Sequence, residues 1–535
     1  MIAEKKKSGY RNDVFLNPEF LVFLFALCCR IYFSFVYPPG GTDHEIQHVA
    51  AGNLLQNGVL GFTISDITDL SVHTYSLMNQ WPPLTALLLS LFTSLTGSAI
   101  LADQLLMLTG LLALLFTLRS LINRLELQTS SKIILWSILA VNPDPFFSLG
   151  ISDLWSSVFF LLSTYYCIPL ISEDKVSFKK VILVSTIFFL PAAFRYQYYP
   201  LVFFFPTMLL IHVFSTKRKD HLRTAILSFV CVGFLLTIQF FILYANAGSG
   251  VYISEDAKGF YPENSIKLYA FIFKGFMPIT YLENHLITYS ITYLFVYKVL
   301  LWILTIGILV YSLLYIKRTF KSFKKNHSEK EWTFLFLFWS AVLVFLLLLS
   351  LSLIFHAQGN SWHSFTYISE GRYYLPVTLS FLLLLAKMVE RIAGFKKIMI
   401  LTITIILSFN YLLWIKFNYN TITGQLPKTR QMWNDERITI TNTVKKIIDS
   451  TGLQVTAAGN KDFLYLPVYN NYSVVPHKKW LKPDNLQTSK PVVFLYITKE
   501  VLSEADSFFI NQSKAKLVYK GFTSQLYSVQ IEPKK

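Results

Sequence analysis

Residues 20–58 read FLVFLFALCCRIYFSFVYPPGGTDHEIQHVAAGNLLQNG, and this stretch joins two unlike patterns. Residues 20–37 form an apolar run long enough to cross a bilayer, because a membrane-spanning helix needs about 20 mainly apolar residues. After Pro38-Pro39 the chain becomes polar, with apolar residues at helical spacing over residues 42–56. A spanning helix that leads directly into a polar helix predicts a membrane protein with structure at the membrane surface.

The composition of the whole chain agrees with that prediction. Of its 535 residues, 53% are hydrophobic and only 15% are charged, whereas soluble domains have about 25% charged residues. This excludes an ordinary soluble enzyme and a disordered chain. The net charge of +17 would favour nucleic acid as the partner of a soluble protein. Here the basic residues lie between apolar runs, so we expect a lipid bilayer and no nucleic acid.

Eleven apolar runs predict about 11 transmembrane helices. The runs are 20–37, 99–118, 132–151, 154–171, 180–195, 199–215, 224–245, 286–315, 332–355, 373–388 and 398–416. The segments that this arrangement assigns to the cytoplasm contain 24 Lys and Arg residues, and the outer loops between spans contain five. Cytoplasmic loops carry the excess of basic residues. The N-terminus is therefore predicted to be cytoplasmic and the C-terminus to lie on the outer face.

Two domains are predicted: a transmembrane domain over 1–416 and a soluble outer domain over 417–535. In the second region the apolar runs become short and alternate with Lys, Asp and Asn. A helix is expected at 436–450, strands at 453–457, 491–497, 516–521 and 525–531, and a further helical stretch near 498–506. The fold class is therefore a polytopic α-helical membrane protein with a small C-terminal α/β domain.

The first outer loop, residues 38–98, has an acidic helix start and no Lys or Arg. It is expected to hold two interfacial helices, one at 42–56 and one after Trp81-Pro82-Pro83. Asp43 and Glu45 have two open interpretations. They are catalytic acids at the membrane surface, or they only offset the helix dipole, which is worth about 0.3–1 kcal/mol. A metal site with His44 and His48 is a third interpretation, although no third well-spaced ligand is evident.

Several motifs follow one another in an order that resembles a known superfamily. They are Thr42-Asp43-His44-Glu45, Ala51 with Leu54 and Gly58, Trp81-Pro82-Pro83-Leu84, Asn142-Pro143 with Gly150 and Asp153, and Glu370-Gly371-Arg372-Tyr373-Tyr374-Leu375-Pro376. Together they resemble the GT-C glycosyltransferases, above all bacterial members related to protein O-mannosyltransferases and aminoarabinose transferases. The resemblance covers about residues 15–390 and does not extend to 417–535.

The resemblance implies an inverting glycosyltransferase with a polyprenyl-phosphate sugar as donor and a glycan, lipid or protein as acceptor. It makes Asp43 the general base and Arg372 the cation on the lipid phosphate. Residues implied to bind substrate are Glu45, Asp153, Arg195, His363, Tyr367, Glu370 and Arg372. The acidic motif is Asp-x-Glu instead of Asp-Asp or Asp-x-Asp. A divalent cation, Mg²⁺ or Mn²⁺, held by Asp43 and Glu45 is therefore left open.

Other functions remain open at this level. Arg195 and Arg372 also fit arginines that extend from helix ends to the membrane surface. A transporter or flippase for a lipid-linked or polar substrate would use the same architecture, although ionisable residues near mid-span are its usual mark. A non-catalytic scaffold is a third class, but it would need fewer spans. The likeness to bacterial members predicts a bacterial inner membrane.

Overall fold

The computed structural model of the chain describes residues 17–36, 42–66, 68–77, 82–142, 150–173, 176–216, 219–247, 291–323, 329–354, 371–390, 429–459, 471–475 and 486–533, with single positions or pairs between 404 and 419 and at 466 and 468. Within these residues there are fourteen α-helices and seven β-strands. The helices are α1 Pro18–Val36, α2 Thr42–Asn57, α3 Leu84–Thr96, α4 Ala99–Arg124, α5 Thr129–Val141, α6 Ile151–Ser172, α7 Phe178–Phe194, α8 Tyr199–Thr216, α9 Lys219–Ala247, α10 Ile291–Phe323, α11 Glu329–Ile354, α12 Gly371–Val389, α13 Thr429–Thr451 and α14 Glu504–Ser513.

The predicted helical membrane architecture is confirmed in outline. Helices occupy ten of the eleven predicted runs, and the run at 398–416 lies mostly outside the described residues. Five helical stretches within the described residues are long and apolar enough to cross a membrane: Leu101–Arg124, Ile151–Ile171, Tyr196–Phe214, His221–Tyr244 and Lys330–Leu347. The chain is thus a helical membrane protein, and the number of eleven spans and their orientation stay predictions.

The two helices expected in the first loop are present, and a glycine follows each of them. Gly97 caps α3 in the left-handed region, with φ 68°, and its N–H donates to the carbonyl of Thr93. Gly58 follows α2 with the same φ of 68°. A residue with a Cβ pays a steric cost in this conformation, which is why glycine commonly follows a helix end. The sequence therefore predicted both ends correctly.

The strands form one sheet, and two of them come from the first loop. The strands are β1 Gly61–Ser65, β2 His73–Leu77, β3 Gln454–Gly459, β4 Tyr472–Val475, β5 Val492–Lys499, β6 Lys516–Lys520 and β7 Ser524–Ile531. Their order is β2-β1-β4-β3-β5-β7-β6. Strands β1, β4, β3 and β5 run parallel, whereas β2, β7 and β6 are antiparallel to their neighbours. The sheet is therefore wider than the C-terminal sequence alone predicted.

Buried hydroxyl groups join β1 to the C-terminal strands. The Ser65 Oγ lies 2.6 Å from the Ser473 Oγ and 3.1 Å from the Thr456 Oγ1, and the latter two atoms are also 3.1 Å apart. All three residues are buried. Buried polar groups must be hydrogen-bonded, and these satisfy one another. Because Ser65 is polar although it is buried, β1 does not show the alternation of apolar residues that would predict a strand.

The core of the sheet is centred on β5, whose residues 492–498 are all buried. Such a continuous apolar strand is typical of a parallel sheet covered on both faces. Phe509 of α14 stacks on Tyr496, with ring centroids 4.2 Å apart. The helix expected near 498–506 in fact begins later, because Ser503 and Asp506 form a capping box at its start. Strand β5 extends to Lys499 instead.

Two compact units divide the chain. One comprises residues 1–36, 107–239 and 253–419, and the other comprises 37–106, 240–252 and 420–535. In the first unit, α6 packs against α7, α8, α11 and α12, and α1 packs against α5. In the second unit, α2 packs against α3 and β1, and the sheet is its central element. The division into domains at 1–416 and 417–535 stays a prediction.

Candidate active-site residues

Helix α2 positions Glu45 in the interior of the second unit. Ile46, Val49 and Ala50 are buried, as their shared face predicted, and Glu45 is only 1% exposed. Further along the helix, the Asn53 side-chain amide donates to the carbonyl of Gly61 at 2.8 Å. The helix is therefore buried around most of its circumference and held to the start of β1 near its end.

The carboxylate of Glu45 is paired with the guanidinium of Arg437, which belongs to α13. The side chains are 2% and 16% exposed. A carboxylate taken out of water without a partner would cost several kcal/mol, so a buried acid needs such a cation. The two residues come from the first loop and from the C-terminal region, and they meet inside one compact unit.

The residue before Arg437 fixes α13 to the sheet. The carboxylate of Glu436 accepts the backbone N–H of Ser524 at 2.9 Å and the hydroxyls of Thr523 and Ser524, both at 2.6 Å. There is no room for a side chain at Gly521, since a Cβ there would lie 1.8 Å from the Glu436 Oε1. Helix α13 is thus anchored at the turn between β6 and β7.

A second polar contact of α2 involves His48. Its Nε2 lies 3.2 Å from an oxygen of Asp103 on α4. Among the described residues, no group of three or more His, Cys, Asp or Glu side chains is arranged to hold a metal ion. The side chains of Asp43 and His44 lie outside the described part of the chain. A cation at Asp43 and Glu45 therefore stays a prediction. The positive charge beside Glu45 is that of Arg437.

In the first unit the structure brings together Asp153 and Arg195, two residues that the sequence singled out separately. Asp153 lies in the first turn of α6 and Arg195 directly after α7, and they form a buried ion pair with side chains 1% and 9% exposed. The hydroxyls of Ser156 and Ser157 donate to the carbonyl of Asp153 at 3.0 and 2.7 Å. The pair thus connects the ends of two packed helices.

The remaining predicted site residues have no described side chain. Asp43 lies in the first turn of α2 and Arg372 in the first turn of α12. The helix that the Arg-Tyr motif was predicted to open does begin there. His363, Tyr367 and Glu370 lie outside the described residues. The roles assigned to these five residues stay predictions.

Sequence reasoning missed Arg437, which is half-buried, and Arg30, which is buried. Arg437 lies in an amphipathic helix, where a basic residue is typical of a solvated face, so no signal pointed to it. Arg30 interrupts the first apolar run, and its Nη2 donates to the carbonyl of Ala140 at 2.7 Å. An arginine inside a span is a signal that could have been used, because ionisable residues there are costly and face the interior of the bundle.

Comparison with known proteins shows the fold. No protein-family model and no curated protein matches the sequence of the chain. ArnT from Cupriavidus metallidurans bound to undecaprenyl phosphate matches in structure with a TM-score of 0.55 and 8% identity, covering 97% of this chain and 98% of ArnT. The same protein in the apo state gives 0.55, 10% identity and the same coverages. The Archaeoglobus fulgidus oligosaccharyltransferase in the apo form gives 0.46 and 11% identity, covering 91% and 70%.

The match to ArnT extends over nearly the whole of both chains, including the C-terminal region to which the sequence resemblance did not extend. The chain therefore has the fold of ArnT. At this level of identity the likeness concerns the fold alone.

Proposed function

We propose that the protein is an integral-membrane inverting glycosyltransferase that moves a sugar from a polyprenyl-phosphate donor to an acceptor hydroxyl. The observation that carries the proposal is the likeness in fold, over 97% of this chain, to ArnT bound to undecaprenyl phosphate. The helical membrane part can bring a lipid-linked donor to the surface without a soluble nucleotide sugar. The motifs of the first loop supply acidic residues where such a reaction needs them.

Asp43 is the proposed general base. It removes the proton of the acceptor hydroxyl while that oxygen attacks C1 of the sugar. The bond between C1 and the phosphate oxygen breaks, and the lipid phosphate leaves with the electron pair. A positioned base typically contributes about 10²- to 10⁴-fold. The position of Asp43, two residues before the buried Glu45 on α2, supports the assignment, because that helix is firmly packed.

Arg372 is the proposed cation for the leaving phosphate. A guanidinium can pair with phosphate through two hydrogen bonds, and a preorganised charge of this kind stabilises the transition state. Its place in the first turn of α12 supports this role. Residues His363, Tyr367 and Glu370, which precede it, are proposed to contact sugar or phosphate.

Asp153 and Arg195 are proposed to support or contact substrate as a pair. Because each already neutralises the other, neither is offered as an isolated catalytic group. A pair of this kind can hold the ends of α6 and α7 in place and present its outer atoms to a phosphate or a sugar hydroxyl. We further propose that the membrane is a bacterial inner membrane with the C-terminal region on its periplasmic side.

The test is the substitution Asp43→Asn, compared with Asp66→Asn as a control in the same loop. A deletion strain is complemented with each variant, and the cell-envelope glycans, lipids and glycoproteins are analysed by mass spectrometry. Loss of the base should lower transfer by about 10²- to 10⁴-fold, so the modification absent from the deletion strain should also be absent with Asp43→Asn. Asp66→Asn should restore it. Full modification with Asp43→Asn would remove Asp43 as the base.

A transporter or flippase is the second candidate, and buried Arg30 is the observation that favours it. Arg30 lies near the middle of α1 and is 2% exposed, which is typical of residues on a substrate path. Its hydrogen bond to the carbonyl of Ala140, at the end of α5, also gives it a structural role. Movement of a lipid-linked sugar across vesicles without any change in its chemistry would favour this candidate over transfer.

A further inference from the structure

We infer that the C-terminal region takes part in the reaction by orienting α2, with Arg437 as a positioning residue that acts through Glu45. The inference rests on the proposed function, because it concerns how Asp43 is held. It gives the C-terminal region a defined role that the motifs of the membrane part do not assign.

The helical geometry of α2 relates position 43 to Glu45. An α-helix turns about 100° per residue, so positions two apart lie nearly opposite each other on its surface. Glu45 is fixed by Arg437 on one face of the helix. Position 43, two residues earlier, therefore belongs to the opposite face. The contact at Glu45, together with the packing of the buried residues around the helix, sets the rotation of α2 about its axis and hence the direction of that face.

Polar contacts hold α2 at several points along its length. Near its end, Asn53 donates to the carbonyl of Gly61. In its first turn, the described polar contact is the pair of Glu45 with Arg437. Helix ends fray unless side chains or packing hold them. The turn that contains the proposed base is thus held from the C-terminal region.

The helix that carries Arg437 is itself held firmly in place. Arg437 follows Glu436, whose carboxylate accepts four hydrogen bonds from the backbone and hydroxyls of Thr523 and Ser524. Ile440 and Val444, on the same helix, are fully buried. The guanidinium is consequently presented by a helix that is itself fixed to the sheet, which is what a positioning residue requires.

The expected effect follows from the need for a well-aligned base. A misplacement of about 1 Å in a reacting group can cost about 100-fold in rate. In Arg437→Gln, Glu45 would lose its partner and the first turn would move. In Glu45→Gln/Arg437→Gln, two neutral amides can pair, and no buried charge is left alone. The double variant should therefore recover much of what the single variant loses.

The experiment measures transfer and helix order on the same purified, full-length variants. The donor is the lipid extract of the deletion strain, which retains the unused polyprenyl-phosphate sugar. We expect Arg437→Gln to lower kcat by about 10- to 100-fold, with a donor KM within about twofold of wild type. The double variant should regain at least about tenfold of that loss. Lys445→Gln, an exposed change on the same helix, should match wild type.

Hydrogen–deuterium exchange separates a failure of this inference from a failure of the proposed function. Residues 42–57 should exchange at least about tenfold faster in Arg437→Gln, and near the wild-type rate in the double variant. Unchanged exchange and unchanged kcat would overturn the inference. Faster exchange with unchanged kcat would also overturn it, since the pair would then serve only stability. Faster exchange in a protein whose wild type transfers no sugar would refute the proposed function and the catalytic half of the inference with it.

Discussion

Two acid–arginine pairs among the described residues, Asp153 with Arg195 and Glu45 with Arg437, were unequally visible in the sequence. Asp153 and Arg195 are 42 positions apart, and both were singled out from the sequence. Glu45 and Arg437 come from the first loop and the C-terminal region, and only the acid was singled out. Each pair is formed within one compact unit. The sequence can indicate that an acidic residue is buried. It indicates which arginine pairs with that acid only when both residues lie in recognisable motifs.

The two pairs should also differ in how much they contribute to stability. Asp153 and Arg195 both lie at helix ends, with side chains 1% and 9% exposed, whereas Arg437 is 16% exposed. Where water reaches the guanidinium, removing the arginine costs less free energy, because water can then solvate the carboxylate that has lost its partner. The first pair should therefore contribute more to the stability of its unit than the second contributes to its own.

The sharpest test of this comparison removes one arginine from each pair. Arg195→Ala should destabilise the protein by about 3–5 kcal/mol, because it leaves a buried carboxylate uncompensated. Arg437→Ala should cost less, because Arg437 is the more exposed of the two arginines. Thermal unfolding in detergent, followed by circular dichroism, gives the order of the midpoints. Equal midpoints, or a lower one for Arg437→Ala, would break the comparison.

A control distinguishes lost charge from lost packing. The variant Asp153→Asn/Arg195→Gln removes both charges of the first pair, and replacing a buried pair by neutral groups is often nearly neutral in stability. Its midpoint should lie well above that of Arg195→Ala. If the double variant unfolds as early as the single one, the pair matters through its shape, and the electrostatic argument is wrong.

The anchor of α13 offers a second test, of smaller size. In Gly521→Ala, the added Cβ would lie 1.8 Å from the Glu436 Oε1, and crowding of a packed site typically costs about 1–3 kcal/mol. The loss should appear in the unfolding midpoint and in faster exchange over residues 429–451. The control is Gly233→Ala on α9, where nothing lies within 4 Å of the added atom. That variant should not lose stability, since alanine is favoured in helices.

How far the sequence predicts this molecule depends on the range of the interactions. Apolar runs are local, so the sequence predicted the helices of the membrane part, the ends of α2 and α3 and most of the C-terminal strands. Strand β1 was missed because it contains Ser65, a buried polar residue. Its hydroxyl forms hydrogen bonds with those of Thr456 and Ser473, which lie far along the chain. Such long-range pairing leaves no periodic pattern in either segment.

The candidate site shows the same limit. Asp43 and Arg372 were proposed from motifs, and these motifs do lie where α2 and α12 begin. The partner of Glu45 could not be predicted, because Arg437 stands among polar residues in an amphipathic helix with several charges. Choosing one of them requires knowing that α13 packs beside the sheet that the first loop joins.

The smallest predicted effect concerns an exposed attachment of the first loop, which contrasts with the buried one at Glu45. Asp69 accepts the backbone N–H of Ser489 at 2.9 Å and the hydroxyl of Ser71 at 2.7 Å. Hydrogen bonds from Ser489 and Ser71 hold the pKa of Asp69 well below its ordinary value. A carboxylate whose pKa is lowered by folding stabilises the fold above its unfolded pKa, about 3.9. That stabilisation should be lost as the pH falls from about 4 towards the lower folded pKa.

Asp69→Asn tests this sign, because the amide cannot titrate. The gap between the unfolding midpoints of wild type and Asp69→Asn should be largest near pH 7 and should shrink below about pH 4. Asp66→Asn is the matched control, since among the described residues the carboxylate of Asp66 accepts hydrogen bonds from Thr68 alone. Exchange over residues 486–490 should rise with Asp69→Asn and not with Asp66→Asn. If the difference between the two midpoints does not change with pH, Asp69 holds the loop through its shape and not through its charge. Of the two attachments, only the pair at Glu45 would then depend on charge.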